Sequence, residues 1–145
     1  MSIVLTINAV QDIAGAIDGV KRAPELASYP GSLNSDIDCP FVFSWPSGGQ
    51  WDEAAIGLNS DVETIVISVL VAPVGQGIRG TLIAQAVTLL EAFRVTFLDI
   101  DNQDLADTVE QINSAQHAGL QTLTYAGVEY YGFQITITTL LKETP

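Results

Sequence analysis

Val62-Glu63-Thr64-Ile65-Val66-Ile67-Ser68-Val69-Leu70-Val71-Ala72, stopped by Pro73, is the stretch whose reading decides the fold. It is dense in β-branched residues, which suit a pleated, packed surface. Alternate positions Ile65, Ile67, Val69 and Val71 make one wholly aliphatic face, whereas Thr64, Val66, Ser68 and Leu70 make a mixed one. That pattern predicts a strand with one face sealed in a core and the other half-covered. Beyond the turn Pro73-Val74-Gly75-Gln76-Gly77-Ile78-Arg79-Gly80 the apolar period changes from two to about 3.6. Leu82, Ile83, Ala86, Val87, Leu89, Leu90, Phe93 and Phe97 then fall on one helical stripe, with Thr81 placed to serve as N-cap. A strand feeding a helix that packs back on its own sheet is the expected nucleus.

Working outward toward the N-terminus, Ile3, Ile7, Val10, Ile13, Ala14, Ile17 and Val20 recur at helical spacing, so Ser2 to Arg22 reads as a core helix stopped by Ala23-Pro24. Asp12 and Asp18 occupy its polar face, where a membrane-surface helix would carry Lys or Arg. Glu25 to Tyr29 reads as a short edge strand, and Ile37 to Trp45 as a further strand whose first half Pro40 demotes to an edge or bulge. Pro46 to Ser60, with Ser47-Gly48-Gly49, reads as an exposed loop. Trp45 and Trp51 sit near its ends; they either pin the loop to its own core or anchor an interface, where Trp is enriched.

Toward the C-terminus, Asp99 to Gly119 reads as a polar connection with a helical turn at Leu105 to Ile112. Leu120 to Tyr125, the turn Ala126-Gly127, and Val128 to Leu141 read as a β-hairpin. Tyr131, Phe133, Ile135 and Ile137 face one way in its second arm, and Gln134, Thr136 and Thr138 the other. Thr136, Thr138 and Thr139 suit a moderately polar, protein-covered face. Residues 1–145 therefore form a single α+β domain: a mostly antiparallel β-sheet with helices packed on one face.

Composition narrows the function. Hydrophobic residues make up 48% of the chain and charged residues 15%, which excludes a disordered chain. No run approaches the ~20 apolar residues of a membrane span, and no signal-peptide layout opens the chain. The single cysteine, Cys39, excludes an internal disulfide framework. Seventeen acidic residues against five basic ones give a net charge of −12, so the clustered Lys and Arg of a phosphate-binding surface are missing. An acidic wall past which DNA slides without adhering is compatible with that charge.

Three motifs invite chemistry. Gly75-x-Gly77-x-x-Gly80, between a strand and a helix, has the spacing of a dinucleotide fingerprint, and Asp99 or Asp101 follows about 20 residues on, where a ribose-binding acid is expected. Phe93 and Phe97 nevertheless extend the helical stripe through the next strand such a fold requires, leaving a glycine turn before a helix. Asp99, Asp101, Gln103, Asp107 and Glu110 match positions of a calcium loop, but Asp104 stands where its glycine belongs, so a mobile acidic loop is expected. His117, the only histidine, lacks a nucleophile elbow or further ligands for zinc. No catalytic residue, cofactor or metal site is expected, and the chain does not read as an enzyme.

Val69-Leu70-Val71-Ala72-Pro73-Val74-Gly75-Gln76-Gly77, the helix with Leu89-Leu90-Glu91-Ala92-Phe93-Arg94, the hairpin Leu123-Thr124-Tyr125-Ala126-Gly127-Val128-Glu129-Tyr130-Tyr131-Gly132-Phe133 and the early Tyr29-Pro30 turn resemble tail terminator (tail completion) proteins of long-tailed bacteriophages. The resemblance covers about two-thirds of the chain as hydrophobic spacing plus glycines, and this chain departs from it in a longer polar loop between Asp99 and Gly119. It implies an α+β virion subunit, made in the host cytoplasm, that forms a hexameric ring on the tail tube. That ring ends tube polymerisation, joins the tail to the head connector and lets DNA pass through its lumen. Its partners are then other copies of itself, the tail tube protein and the head–tail connector protein, with no membrane. Arg79, on an exposed turn, is the preferred intersubunit cation, ahead of Arg94; Trp45, Trp51, Asp99 and Asp101 are the other interaction candidates. A nucleotide-binding protein using the glycine turn, and a head-completion or neck adaptor protein, are the alternatives.

Overall fold

A computed structural model of the chain describes residues 3–50, 61–77 and 80–141. Helix α1 (Ile3–Gly15) and the single-turn α2 (Ser35–Asp38) precede strands β1 (Phe41–Gln50) and β2 (Val62–Pro73); helix α3 (Gly80–Leu98) leads to β3 (Val109–Tyr125) and β4 (Val128–Leu141). The four strands form one sheet in the order β1-β2-β4-β3, antiparallel at every pairing. The fold is α+β, as the sequence indicated.

β2 is central, and its aliphatic face is dry: Ile65, Ile67, Val69 and Val71 are at most 4% exposed. α1 contributes Ile7, Val10 and Ala14 to the core they share, α3 contributes Ala86, Leu89, Phe93 and Phe97, and β4 contributes Phe133, Ile135 and Ile137. Phe93 stands edge-on to Phe133 at 5.7 Å and stacks on Phe97 at 6.0 Å, arrangements that add to plain burial. The hairpin turn has positive φ at both Ala126 (51°) and Gly127 (80°), the twist that a two-residue β-turn requires.

Several sequence expectations are corrected. The helix expected over Ser2 to Arg22 ends at Gly15, because Gly19 takes φ 96° and the amides of Lys21 and Arg22 donate to the Pro40 carbonyl. The strand expected over Glu25 to Tyr29 is a 3-10 turn, with the Leu26 amide held by Asn8 Oδ1. Of the expected Ile37 to Trp45 strand, Ile37 and Asp38 belong to α2 instead, whose Asp36 amide is capped by Asn34 Oδ1, and the strand begins only at Phe41. β1 runs on to Gln50 through what reads as loop, with a bulge at Pro46/Gly48; residues 51–60 lie outside the described residues.

The largest correction concerns Asp99 to Gly119. In place of a helical turn at Leu105 to Ile112, left-handed φ values at Leu105, Ala106 and Asp107 turn the chain, and β3 starts at Val109. Ile83 and Val87 point outward, 40% and 51% exposed, and do not join the buried stripe. Thr81 lies inside α3, not before it. Thr139 is fully buried, its hydroxyl donating to the Glu63 carbonyl, so it does not share the half-exposed face of Thr136 and Thr138. α3 is also long and apolar enough to cross a membrane by length and composition, contrary to the expectation that no run is.

Candidate functional site

Two surfaces of this fold are not filled from within, and both follow from how β2 and α3 are built. The first is the sheet face opposite the helices. At one end it carries a small aromatic cluster of Phe41, Leu70, Tyr130 and Cys39, flanked by Leu33, Phe43, Leu123 and Tyr125. Tyr125 packs edge-on against Phe41 at 5.3 Å and Phe43 at 4.9 Å, and its hydroxyl donates to the Pro30 carbonyl. Beyond the cluster the face turns polar and half-buried. Gln121 Nε2 donates to Gln134 Oε1 (3.2 Å), and Gln134 Nε2 donates to Ser68 Oγ (3.1 Å), a relay across three strands, with half-buried Thr64, Thr136 and Thr138 alongside.

The second surface is the outer side of α3. Its inner stripe fills the core, yet Val95 (59%) and Leu98 (53%) join Ile83 and Val87 on the outside. A shallow groove runs between this side and Ala16, Ile17 and Asp18 that follow α1. Arg94 lies 3.8 Å from Glu91 on the same helix, both well exposed. Arg94 therefore has a partner within α3.

The sequence candidates do not converge. Trp45 is half-buried on the open sheet face, stacked on Phe43 at 5.2 Å. Asp99 sits at the far end of α3, where its carboxylate accepts from the Asp101 amide (3.0 Å) and caps a 3-10 turn; Asp101 is exposed beside it. Arg79 and Trp51 lie outside the described residues. Gln103 and Asn102 spend their side-chain amides on the carbonyls of Phe97 and Thr96, closing the end of α3. Among the described residues no three His, Cys, Asp or Glu side chains gather as metal ligands would.

The glycine turn has its own explanation. Gly77 takes φ 74° at the end of a 3-10 turn, a conformation that favours glycine, whereas Gly75 has no positive φ. β2 and β3 run the same way but β4 lies between them, so the adjacent parallel strands that form a dinucleotide crevice do not occur in this sheet. Cys39 and His117 are on opposite sides of the sheet. Burial, and then the neighbouring Asp38 carboxylate, push the Cys39 thiol up to about 11, which leaves it protonated and a poor nucleophile at neutral pH. Exposed His117 accepts from the Gly119 amide at a bulge in β3.

Comparison with known proteins returns no family model and no curated relative that matches the chain.

Proposed function

We propose that this chain is the structural subunit of a ring that caps a bacteriophage tail tube, ends its polymerisation and joins it to the head connector. The observation that supports this beyond the sequence resemblance is the outer side of α3. Exposed Ile83, Val87, Val95 and Leu98 stand there among the polar Gln85, Thr88, Glu91 and Arg94, apolar surface with a polar surround of the kind a protein neighbour covers. A ring neighbour lying against those four apolar side chains supplies that cover. The net charge sets how such a ring behaves. Identical acidic subunits repel through solvent over a Debye length of about 8 Å at physiological ionic strength, so apolar contact drives assembly and added salt strengthens it. DNA passes an acidic lumen without adhering. Arg79 remains the proposed intersubunit cation, since Arg94 is engaged on its own helix.

The test is sedimentation across a salt series, with electron microscopy of the largest species, for the wild type, Val87→Asp and Arg79→Ala. Ring-sized particles that grow with salt, vanish in Val87→Asp and weaken in Arg79→Ala are expected. A monomer at every salt concentration, or rings that fall apart as salt rises, rejects the reading. A neck adaptor one layer higher is separated by adding purified tail tubes, whose ends only a terminator caps.

A further inference from the structure

The two edges of the sheet differ in a way that the ring reading does not use. Along the first half of β1, the outward backbone groups of Val42 and Ser44 are already bonded. The Val42 amide donates to the Arg22 carbonyl (2.9 Å) and the Val42 carbonyl accepts from Gln11 Nε2 (2.8 Å). The Tyr29 hydroxyl donates to the Ser44 carbonyl and accepts from the Ser44 amide, both at 2.8 Å. Position 46 is a proline and has no amide hydrogen to offer. β3 is the opposite case. Its Ile112 amide is held by the Gln103 carbonyl, but among the described residues no backbone hydrogen bond joins another element to β3 beyond Ile112. An edge with free amides and carbonyls is a template for one more strand.

The surroundings of that edge are built for side chains as well. Two apolar clefts lie on the helix side of β3, either side of the bulge at His117/Leu120. One, of about 240 Å³, is lined by Phe93, Phe97, Leu98, Ala115 and Ile135, together with His117 and the Glu91–Arg94 pair, whose charges offset each other. The other, of about 200 Å³, is lined by Leu82, Ala86, Leu120 and Tyr131. An incoming strand rises ~3.3 Å per residue and sends alternate side chains to one face, so residues about four apart reach the two clefts. Main-chain pairing plus alternate pockets is the way sheet edges recognise extended peptides.

Charge identifies the occupant. Residues 111–128 contain no Asp, Glu, Lys or Arg, and the stretch is bounded by Glu110 and Glu129 in a chain of net charge −12. A second copy paired here would bring its own Glu110 and Glu129 to the ends of the pairing, and its β1 edge is sealed over the half that begins at Phe41. We infer that the β3 edge and its two clefts dock an extended segment of a different protein, apolar at alternate positions and flanked by Lys or Arg. This does not rest on the ring reading, which concerns the outer side of α3, although Ile83 and Leu98 border both surfaces.

The test uses the full chain and the synthetic peptide Lys-Thr-Val-Thr-Val-Thr-Val-Thr-Lys, with one control carrying Glu at both ends and one carrying Pro at the centre. Binding is followed by fluorescence anisotropy and backbone amide exchange. The Lys-flanked peptide is expected to bind and to slow exchange in β3 between Asn113 and Tyr125. Both controls should bind at least about tenfold more weakly, as should Leu120→Asp, which alters a side chain already 44% exposed. No binding at millimolar peptide, protection elsewhere in the fold, or equal binding of the Lys and Glu peptides overturns the proposal. So does self-association of the protein that Leu120→Asp abolishes, because it makes the occupant a second copy.

Discussion

β2 presents its two faces to two different environments, and the comparison teaches how this fold divides its work. On the helix side, aliphatic and aromatic side chains of α1, α3 and all four strands close into one core. On the other side, the same strand meets a small aromatic cluster at Leu70 and, next along the face, a Ser–Gln–Gln relay of polar side chains. Stability is concentrated on the first side, and the second side is free to change.

The sharpest way to break that division is Phe93→Ala. Phe93 is fully buried between Phe97 and Phe133, so truncation should cost about 3–5 kcal/mol in chemical denaturation. A loss below about 1 kcal/mol would show that the helix side is not the core it looks like. A middle-sized effect belongs to the segment that lids the aromatic cluster. The amide of Asn34 and then the Arg22 guanidinium hold the Asp38 carboxyl below its ordinary value, against the opposing effect of burial. A depressed carboxyl stabilises the fold above the unfolded value near 3.8 and loses that contribution as pH falls through its folded value. Asp38→Asn should therefore cost about 1–2 kcal/mol at pH 7, and its deficit relative to wild type should shrink below about pH 4. A deficit that stays constant down to pH 2 would assign the effect to packing. The smallest effect is expected from Ser68→Ala on the polar face. It removes one link of the relay while Gln134 keeps its bond to Gln121, so the change should stay within about 1 kcal/mol. A larger loss, read from the same denaturation curves, would make the relay part of the fold's support.

What was legible in the chain tracks regularity. β2, α3 and the final hairpin announce themselves because an unbroken period of two or 3.6 runs through each of them. β3 hid its first half because its register breaks at Val109/Gln111, Ile112/Ser114 and His117/Leu120. Each bulge throws the alternation out of phase, and an edge strand has little need of an apolar face. Residues 16–40 were misread for another reason. Their path is set by single hydrogen bonds, such as Asn8 to Leu26 and Gln11 to Pro24, which leave no periodic trace in sequence. Among the candidate interaction residues, Asp99 looked like a ligand and is a cap. The outer side of α3 was legible only as surplus: Val95 and Leu98 are apolar residues the core stripe did not need.

The Tyr29 hydroxyl stands in for a neighbouring strand at Ser44, filling a donor and an acceptor at once. With that seal in place, Val42 and Ser44 have no backbone group left to pair with a strand from another copy, and β3 is the edge left to grow from at that end of the sheet. Tyr29→Phe would hand the Ser44 amide and carbonyl back to solvent, and with them a landing place for a foreign strand.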